Sequence, residues 1–427
     1  MHIFFYNIFL WFYKTHIRIV SPWNPKARLW LLGRKNILER IQKSNISKHN
    51  QVIWMHCASL GEFEQGRPII EKIKSQHPFS KILITFFSPS GFEVTKDYEG
   101  ADYVFYLPLD SKTNARHFIE AVNPTLVLWI KYDYWFHYLK ELEKRNIPTL
   151  LISAIFRPSQ PFFKWYGKLH RYMLNCFNHL FVQTEESEKL LTGVVIPEKI
   201  TISGDTRFDR VIEIAELHEP IPAIEKFCCD KTVIVAGSTW EEDEEELDHY
   251  ANTHPEIRFI IAPHEIEESH LRNIEKLFQR SMRLSVLQNN TSPPGYTGSR
   301  QTAAVNTLII DNFGMLARLY KYGTITYIGG GFGDDGVHNV LEAAVYGKPV
   351  VFGPVIEKYF EAMALVETGG GIVIDSALEA EAVFSRLLTD PEEYRLCCEA
   401  SRNYVYAKKG ATKKILEFIQ ENRLLTN

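Results

Sequence analysis

The sequence lacks several features that mark other classes of protein. Its six cysteines form no C-x-x-C pair and no metal-ligand spacing, so we expect reduced thiols in a cytosolic setting. Its net charge of −4 gives no sign of nucleic-acid binding, and we expect no nucleic-acid partner. No D-x-D pair stands at the end of a predicted strand, so we expect no bound metal and no cofactor.

A long apolar run is also missing at the amino terminus, where residues 1–35 combine aromatic rings with scattered cations. The run from Ile3 to Tyr13 is about eleven residues, shorter than the ~20 apolar residues of a membrane-spanning helix. No small-residue cleavage site follows it, so we expect no removable secretory signal. Aromatic rings and cations suit a bilayer interface, and we expect residues 1–35 to associate with a membrane. A helix that covers the core is the alternative.

Apolar segments alternate with helical patterns along the whole chain. Strands are predicted near 52–57, 81–87, 103–107, 125–131, 149–155, 179–184 and 200–203, and again near 232–236, 258–262, 283–287, 307–310, 325–328, 349–352 and 372–374. This alternation predicts parallel sheets with helices on both faces. The polar segment 207–231 is the expected boundary, and 288–304 is predicted to be a loop. We therefore expect an α/β fold of two doubly wound, Rossmann-like domains, 36–210 and 211–427, that face a central cleft.

The segment from Tyr327 to Pro354 carries the strongest sign of a ligand site. A predicted strand leads into a glycine cluster that includes Gly330 and Gly331, followed by the start of a helix. Glycines admit a close ligand, and helix N–H groups with the helix dipole suit a phosphate. Asn339 and Glu342 share one face of that helix, from which a carboxylate can bind ribose hydroxyls. The pattern predicts a nucleotide site that needs no metal.

Two other interpretations of the glycine segment remain open. The spacing Gly331-x-Gly333-x-x-Gly336 also matches the dinucleotide fingerprint. A nicotinamide site would place an acid at the end of the next strand, which here ends at Phe352–Pro354 without one. The second interpretation is an ordinary strand, turn and helix with no ligand.

Two acidic residues follow strands of the first half. Glu62 starts a helix after the turn at Gly61, and we expect the helix N–H groups to hold its carboxylate ionised as a general base. Asp133 follows the fourth strand, where with Lys131 it can bind a sugar acid or orient the base. The structural alternatives are that Glu62 complements the helix dipole and that Asp133 caps a helix.

Three strands of the second half also end in small or polar residues. Ser238 and Thr239 resemble a phosphate-binding loop, although hydroxyl capping of the next helix explains them equally well. His264 follows the next strand, where it can contact a pyrimidine or a phosphate or can be an ordinary surface histidine. The segment Asp311–Met315 ends a third strand in the same way. Three such strand ends together favour a ligand site more than any one alone.

These segments together resemble the 3-deoxy-D-manno-octulosonic acid (Kdo) transferases of lipopolysaccharide assembly, a family of GT-B glycosyltransferases. HCASLGEFEQ at 56–65 is similar to the family's S-V/L-G-E segment, and HNVLE at 338–342 resembles its H-N-x-L-E, which contacts the CMP part of the donor. YLPLD at 106–110 and GDTRFD at 204–209 are similar to Y-L-P-x-D and G-N-x-K-F-D. The chain departs from the family pattern at 131–136 (KYDYWF), 153–157 (SAIFR) and 262–265 (APHE).

The resemblance implies an inverting, metal-independent transfer of Kdo from CMP-Kdo to a lipid A precursor, lipid IVA, at the cytoplasmic face of the cell inner membrane. It implies that Glu62 is the base, and we expect Asp133 to assist it. The expected substrate-binding residues are Ser59, Gly61, Ser238, Thr239, Pro263, His264, Phe313, Gly314, Met315, Gly330, Gly331, His338, Asn339, Leu341 and Glu342. Two alternatives are a GT-B enzyme that uses a UDP-sugar and a non-catalytic membrane-bound scaffold.

Overall fold

A computed structural model describes residues 2–49, 51–217, 219–289, 305–334 and 336–425. The chain divides into two compact units, of which unit 1 comprises Met1–Arg210 with Gly410–Asn427 and unit 2 comprises Val211–Lys409. The expected second domain, 211–427, is therefore too long at its carboxyl end. The last helix belongs to unit 1 because its buried residues Ile415 and Ile419 join the apolar core of that unit. The predicted loop at 288–304 lies outside the described residues from position 290 onward.

Unit 1 contains, among its described residues, a parallel sheet of seven strands in the order β3-β2-β1-β4-β5-β6-β7. The strands are β1 Val52–Cys57, β2 Lys81–Phe86, β3 Tyr103–Tyr106, β4 Leu126–Ile130, β5 Thr149–Ala154, β6 His179–Val182 and β7 Ile200–Ile202. The helices that precede, connect and cover them are α1 His2–Val20, α2 Pro25–Gly33, α3 Ile37–Lys43, α4 Leu60–Gln76, α5 Pro89–Thr95, α6 Lys112–Val122, α7 Phe136–Lys144, α8 Lys168–Asn175 and α9 Glu185–Leu191. Helix α10, Thr206–Glu216, carries the chain from unit 1 into unit 2.

Unit 2 repeats this architecture, with seven described parallel strands in the order β10-β11-β9-β8-β12-β13-β14. The strands are β8 Val233–Thr239, β9 Arg258–Pro263, β10 Ser281–Arg283, β11 Thr307–Ile309, β12 Ile325–Ile328, β13 Val350–Phe352 and β14 Gly371–Val373. The helices are α11 Pro222–Cys228, α12 Glu241–Thr253, α13 Glu268–Leu277, α14 Leu284–Asn289, α15 Leu316–Leu319, α16 Leu341–Ala344, α17 Phe360–Glu367, α18 Ala377–Thr389, α19 Pro391–Tyr406 and, in unit 1, α20 Ala411–Glu421. The predicted α/β class with two doubly wound parallel sheets is confirmed.

The central strands are largely apolar and almost entirely buried because helices cover both faces of each sheet. Every residue of β1 and of β4 is buried, as the parallel arrangement requires. In unit 1 the chain adds β2 and β3 on one side of β1 and β4 on the other, so strand order reverses between β1 and β4. In unit 2 the same reversal falls between β8 and β12. Ligands of doubly wound sheets bind at the carboxyl ends of the strands that flank such a point.

One predicted strand is partly a helix. The segment 283–287 was expected to be extended, but β10 ends at Arg283 and α14 begins at Leu284. The cause is a tertiary contact: the backbone N–H of Ser285 donates to the carboxylate of Asp311 at 3.1 Å, and the Ser285 hydroxyl donates to the same carboxylate. A distant acid therefore satisfies an N–H of the first helical turn, which local propensity alone does not reveal.

Helix α1 packs on unit 1 along one face and exposes aromatic residues on the other. Tyr6, Leu10, Tyr13 and Ile17 recur at helical spacing, and the Tyr6 hydroxyl donates to Asp110 at 2.6 Å. The opposite face exposes large apolar side chains, each at 59% or more of its surface: Phe4, Phe5, Phe9, Trp11, Phe12 and Ile19. Of the helices that the structure describes, none combines the length and the hydropathy needed to cross a bilayer.

Candidate active site

Glu62 and Asp133 lie at the point where strand order reverses in unit 1. Glu62 is in the first turn of α4, which follows β1, and Asp133 is in the loop that follows β4. Because β1 and β4 are neighbouring parallel strands, these loops leave the same edge of the sheet side by side. Glu62 is 6% exposed, and its carboxylate accepts a hydrogen bond from the Ala58 backbone N–H. Sequence and structure thus agree on two acids at one strand edge.

The charge state of Glu62 differs from the sequence expectation. Burial and, to a smaller extent, the negative charge of Asp133 together raise the pKa of its carboxyl to about 8. The Ala58 and Tyr132 N–H groups and the Lys131 ammonium oppose this rise but do not cancel it. The expectation that helix N–H groups keep Glu62 ionised is therefore wrong for the unliganded site at neutral pH. A carboxyl with a raised pKa is a stronger base once it has lost its proton.

Asp133 is not the cap of the next helix. Helix α7 begins at Phe136 after the cap residue Trp135, two residues later than an Asp133 cap would allow. The backbone carbonyl of Asp133 instead accepts a hydrogen bond from the indole N–H of Trp129 in β4. Lys131, which directly follows β4, has a φ of 57°, a left-handed conformation that is uncommon outside glycine. This loop is shaped by tertiary contacts rather than by helix initiation.

Two other expected residues, Ser59 and Gly61, lie between β1 and Glu62 and differ in their exposure. Ser59 is the cap residue of α4, although its side chain makes no capping hydrogen bond. Gly61 is exposed, and a Cβ added there would have no atom within 4 Å. Both residues lie within three positions of Glu62, beside the carboxyl that the strand edge presents.

At the end of β8 in unit 2, Ser238 and Thr239 have separate structural roles. Ser238 has a φ of 55° and lies at a register shift between β8 and β9, which is the geometry of a β-bulge. Thr239 is fully buried, and its hydroxyl donates to the Glu244 carboxylate at 2.8 Å. The hydroxyl hydrogen of Thr239 is thus used inside the unit, so a phosphate contact from its hydroxyl is not available in this arrangement. Hydroxyl capping is excluded as well, because Trp240 is the cap residue of α12.

The buried carboxylate of Asp243 organises the glycine segment. It accepts hydrogen bonds from the Tyr327 hydroxyl at 2.6 Å, the Gly330 N–H at 2.7 Å and the Trp240 N–H at 2.9 Å. Sequence reasoning missed this residue, since Glu241, Glu242 and Asp243 are alike as acids of a first helical turn. Only the packing of β12 against β8 shows which of the three points inward.

The glycine segment permits close backbone approach, as its sequence predicts. Gly330 has a φ of 89°, and a Cβ on Gly331 would lie 2.5 Å from the Gly353 backbone nitrogen. The helix that follows is a single turn, Leu341–Ala344, so its dipole is much weaker than expected. The amide of Gly330 is bound by Asp243, and that of His338 donates to the Gly329 carbonyl. The amides of Gly330 and His338 are therefore not available to a phosphate in this conformation.

Three rings from different strand ends form one stack in unit 2. Trp240 stacks on His264 with ring centroids 4.7 Å apart, and His264 stacks on His338 at 4.5 Å. The Trp240 indole N–H donates to Nε2 of His338 at 3.0 Å, which makes that nitrogen an acceptor. The prediction singled out His264 and His338 but not Trp240. The position of Trp240 directly after β8 was the signal that could have found it.

Asn339 and Glu342 are joined by a hydrogen bond, although Asn339 precedes helix α16 and does not share a helix face with Glu342 as expected. The Asn339 amide donates to Glu342 Oε1 at 3.0 Å, and Asn339 Oδ1 accepts from the Leu341 N–H at 3.3 Å. Leu341 itself is fully buried, so its side chain belongs to the core and is not open to a substrate contact, contrary to the expectation.

The remaining expected residues lie at the ends of β9 and β11. Pro263 ends β9 as a buried residue, next to the exposed His264. After β11, Phe313 is 72% exposed, Gly314 has a φ of 94° and Met315 precedes α15. In the order β11-β9-β8-β12 these strand ends are adjacent, so the predicted residues of unit 2 share one edge of its sheet. Over the described ranges, no group of three or more His, Cys, Asp or Glu side chains is arranged to hold a metal ion.

The chain is similar to known glycosyltransferases in sequence. The family model of the 3-deoxy-D-manno-octulosonic acid transferases matches residues 35–210. The Aquifex aeolicus 3-deoxy-D-manno-octulosonic acid transferase is 24% identical over 83% of this chain and 91% of its own length. A bifunctional glycosyltransferase/methyltransferase of Fusobacterium nucleatum is 27% identical over 88% of this chain, which spans only 56% of that relative.

The fold is also similar to a solved structure. The UDP-GlcNAc 2-epimerase of Neisseria meningitidis, solved with UDP-GlcNAc, superposes with a TM-score of 0.60 at 19% identity, over 87% of this chain and all of that one. At this level of identity the likeness concerns the fold alone, which is of the GT-B type.

Proposed function

Because the chain belongs to the Kdo transferase family, we propose that it transfers Kdo from CMP-Kdo to the lipid A precursor lipid IVA, with inversion and without a metal ion. One observation carries this proposal. A buried carboxyl, Glu62, lies at the strand edge where doubly wound sheets bind ligands, next to the second carboxyl Asp133. A sugar hydroxyl bound at that edge has a base within reach.

The proposed reaction needs a single proton transfer. Glu62, once ionised, takes the proton of an acceptor hydroxyl, and the acceptor oxygen forms a bond to the anomeric carbon of Kdo. The bond between that carbon and the phosphate oxygen breaks, and CMP leaves with the electron pair from the opposite face. Lys131 favours the ionised form of Glu62, so the local cation assists the base. The attack from the face opposite to the leaving group inverts the anomeric centre.

Unit 2 is proposed to bind the donor. The Glu342 carboxylate, oriented by the Asn339 amide, can accept two hydrogen bonds from the ribose of the cytidylate. The stack of Trp240, His264 and His338 offers ring faces and polar nitrogens beside it on the same strand edge. We assign phosphate binding to Ser238, at the end of β8 beside the glycine segment.

Mass spectrometry of the product tests the reaction. Purified protein is incubated with CMP-Kdo and lipid IVA, and we expect an acceptor that has gained the mass of Kdo, with turnover unchanged by EDTA. The configuration of the new linkage, read by NMR, tests inversion. Turnover with a UDP-sugar and none with CMP-Kdo would replace this proposal by a different GT-B transferase, and no turnover with either would favour a scaffold.

We further propose that helix α1 holds the protein at the cytoplasmic face of the inner membrane, where the lipid acceptor resides. Its exposed aromatic face is the support for this proposal, because monomeric soluble proteins rarely expose so many adjacent large apolar side chains. The test is cosedimentation with vesicles that contain anionic lipid. Replacing Phe4, Phe9 and Phe12 by serine should release most of the protein, whereas Phe79→Ser, at a phenylalanine outside α1 that is 95% exposed, should not. Equal binding of both variants would contradict the proposal.

A further inference from the structure

His56 is a buried histidine beside the proposed base, and the reaction described above does not use it. It lies on β1, has no exposed surface and packs its ring against Trp129 at a centroid distance of 4.6 Å. Its Nε2 atom lies 3.6 Å from Oδ2 of Asp133. Both atoms are buried, and neither has a hydrogen-bond partner at this separation. A buried donor and a buried carboxylate oxygen therefore face each other without a hydrogen bond. This arrangement is unusual, because each buried unsatisfied polar group costs free energy.

The other side of the imidazole ring fixes which nitrogen carries the hydrogen. The indole N–H of Trp54 donates to the Thr85 hydroxyl oxygen at 2.8 Å, so that hydroxyl is free to donate its own hydrogen. Nδ1 of His56 lies 2.9 Å from the same oxygen and is the acceptor of that hydrogen. A neutral His56 then carries its hydrogen on Nε2, which points at Asp133. Trp54 and Thr85 thus orient the ring toward the acid.

From this geometry we propose that His56 is a positioning residue, which donates its Nε2–H to Asp133, fixes that carboxylate and takes up part of its charge so that Glu62 can ionise. The proposal rests on the assigned role of Glu62 as the base. A movement of about 0.7 Å converts the present contact into a hydrogen bond of ordinary length. Such contacts are often long in the absence of substrate and shorten when substrate binds.

The electrostatic consequence follows from the proximity of two carboxyl groups. The negative charge of Asp133 raises the pKa of Glu62, and a hydrogen-bond donor to Asp133 weakens that effect. Glu62 therefore loses its proton at a lower pH with His56 present than without it. Other ionisable groups also act on these two acids or are acted on by them, and they come from β1, from the loop after β4 and from the amino-terminal helices: Cys57, Lys131, Tyr134, Tyr6, Tyr13 and Arg34. All of them are unchanged in the variants below.

The test is the pH dependence of kcat/KM for Kdo transfer. We expect the wild-type rate to rise with pH through an apparent pKa near 8, the value for Glu62. In His56→Phe this apparent pKa should rise by about one unit, which is a roughly tenfold loss of kcat/KM at pH 7 with most of the rate recovered at high pH. His56→Gln keeps an N–H donor near the position of Nε2 and should restore the wild-type apparent pKa. Asp133→Asn should lower the apparent pKa, and the double variant should behave like Asp133→Asn.

A second readout does not depend on activity. The difference in Tm between the wild type and Glu62→Gln changes with pH through the pKa of Glu62, and His56→Phe should move that midpoint upward. A wild type without Kdo transfer but with this shift would overturn the proposed function and leave the His56–Asp133 interaction standing. If His56→Phe does not fold, Thr85→Val, which removes the hydroxyl that orients the ring, should shift both readouts in the same direction. The inference would be overturned if kcat/KM fell by the same factor at every pH. It would also be overturned if neither the apparent pKa of kcat/KM nor the midpoint of the Tm difference shifted.

Discussion

The hydroxyl of Thr239 donates to Glu244 at 2.8 Å, and this bond links the end of β8 to the first turn of α12. The other oxygen of Glu244 lies 2.9 Å from Nε2 of His270, and Nδ1 of His270 lies 3.0 Å from the Glu265 carbonyl. Thr239 and Glu244 have no exposed surface. This buried chain of polar groups therefore holds the strand end that the sequence predicts as a phosphate-binding loop.

Replacing Glu244 by alanine should destabilise the protein strongly. The change leaves the Thr239 hydroxyl and the His270 imidazole buried without their common partner, and breaking a buried pair in this way costs roughly 3–5 kcal/mol. We expect the Tm to fall by at least ~6 °C for a unit of this size. Glu245→Ala, at an exposed neighbour on the same helix, is the matched control and should change the Tm little. Similar Tm values for the two variants would show that the chain of polar groups has no structural importance.

Replacing Glu62 by glutamine should abolish most transfer activity without unfolding the protein. Glutamine keeps the size and the hydrogen-bonding shape of the side chain but cannot accept the proton of the acceptor hydroxyl. A general base contributes about 10²–10⁴ to the rate, and we expect a loss of this size in kcat. Glu64→Gln removes a carboxylate on the same helix whose side chain is 39% exposed, and it should retain activity. Full activity of Glu62→Gln in the mass-spectrometric assay would remove Glu62 as the base.

The same substitution should raise stability in a pH-dependent way. Because the pKa of Glu62 is raised from 4.5 to about 8 in the folded state, the unfolded chain releases this proton at lower pH. The folded wild type is therefore progressively disfavoured as the pH rises from about 4.5 to about 8. The gain in stability of Glu62→Gln over the wild type should be smallest below pH 4.5 and should approach an order of 4 kcal/mol above pH 8. Thermal unfolding across this range measures it, and a difference independent of pH would contradict the raised pKa.

The architecture could be predicted from the sequence because parallel strands that are buried on both faces appear as short, nearly continuous apolar runs. Buried, largely apolar runs identify β1 and β4, and the positions of Glu62 and Asp133 shortly after them follow from that. The carboxyl ends of parallel strands share one edge, so the prediction that these residues lie near each other needed no structure.

What the sequence could not show depends on burial and on distant partners. The proton affinity of Glu62 is set by how deeply its carboxyl is buried and by the charge of Asp133, about seventy residues away along the chain. The Thr239 hydroxyl could be assigned to a phosphate or to a helix cap, but its partner Glu244 is defined only by packing. Local sequence patterns specify elements and strand ends, whereas the direction of each side chain is decided by tertiary contacts.

Replacing Trp240 by phenylalanine should weaken donor binding while keeping the ring stack. Phenylalanine retains an aromatic face against His264 but loses the indole N–H that His338 accepts at 3.0 Å. We expect the KM for CMP-Kdo to rise by about tenfold, the value of one hydrogen bond of roughly 1–1.5 kcal/mol, with kcat changed less. Trp240→Leu removes the stack as well and should raise the KM further. Steady-state kinetics at saturating acceptor measures both variants, and unchanged KM values would exclude this stack from the donor site.

Replacing Asn339 by alanine should disturb the orientation of the Glu342 carboxylate without changing its charge. The variant keeps the Glu342 carboxylate but loses the amide that holds one of its oxygens at 3.0 Å and the oxygen that accepts the Leu341 N–H. A carboxylate that must be ordered on ligand binding binds a ribose less well, and we expect the KM for CMP-Kdo to rise by about tenfold. Isothermal titration with CMP alone should show the same loss, because the effect concerns the nucleotide and not the sugar. Asn403→Ala, at an exposed asparagine of α19, is the control for losing a side-chain amide in unit 2. Equal affinity of both variants for CMP would place the ribose elsewhere.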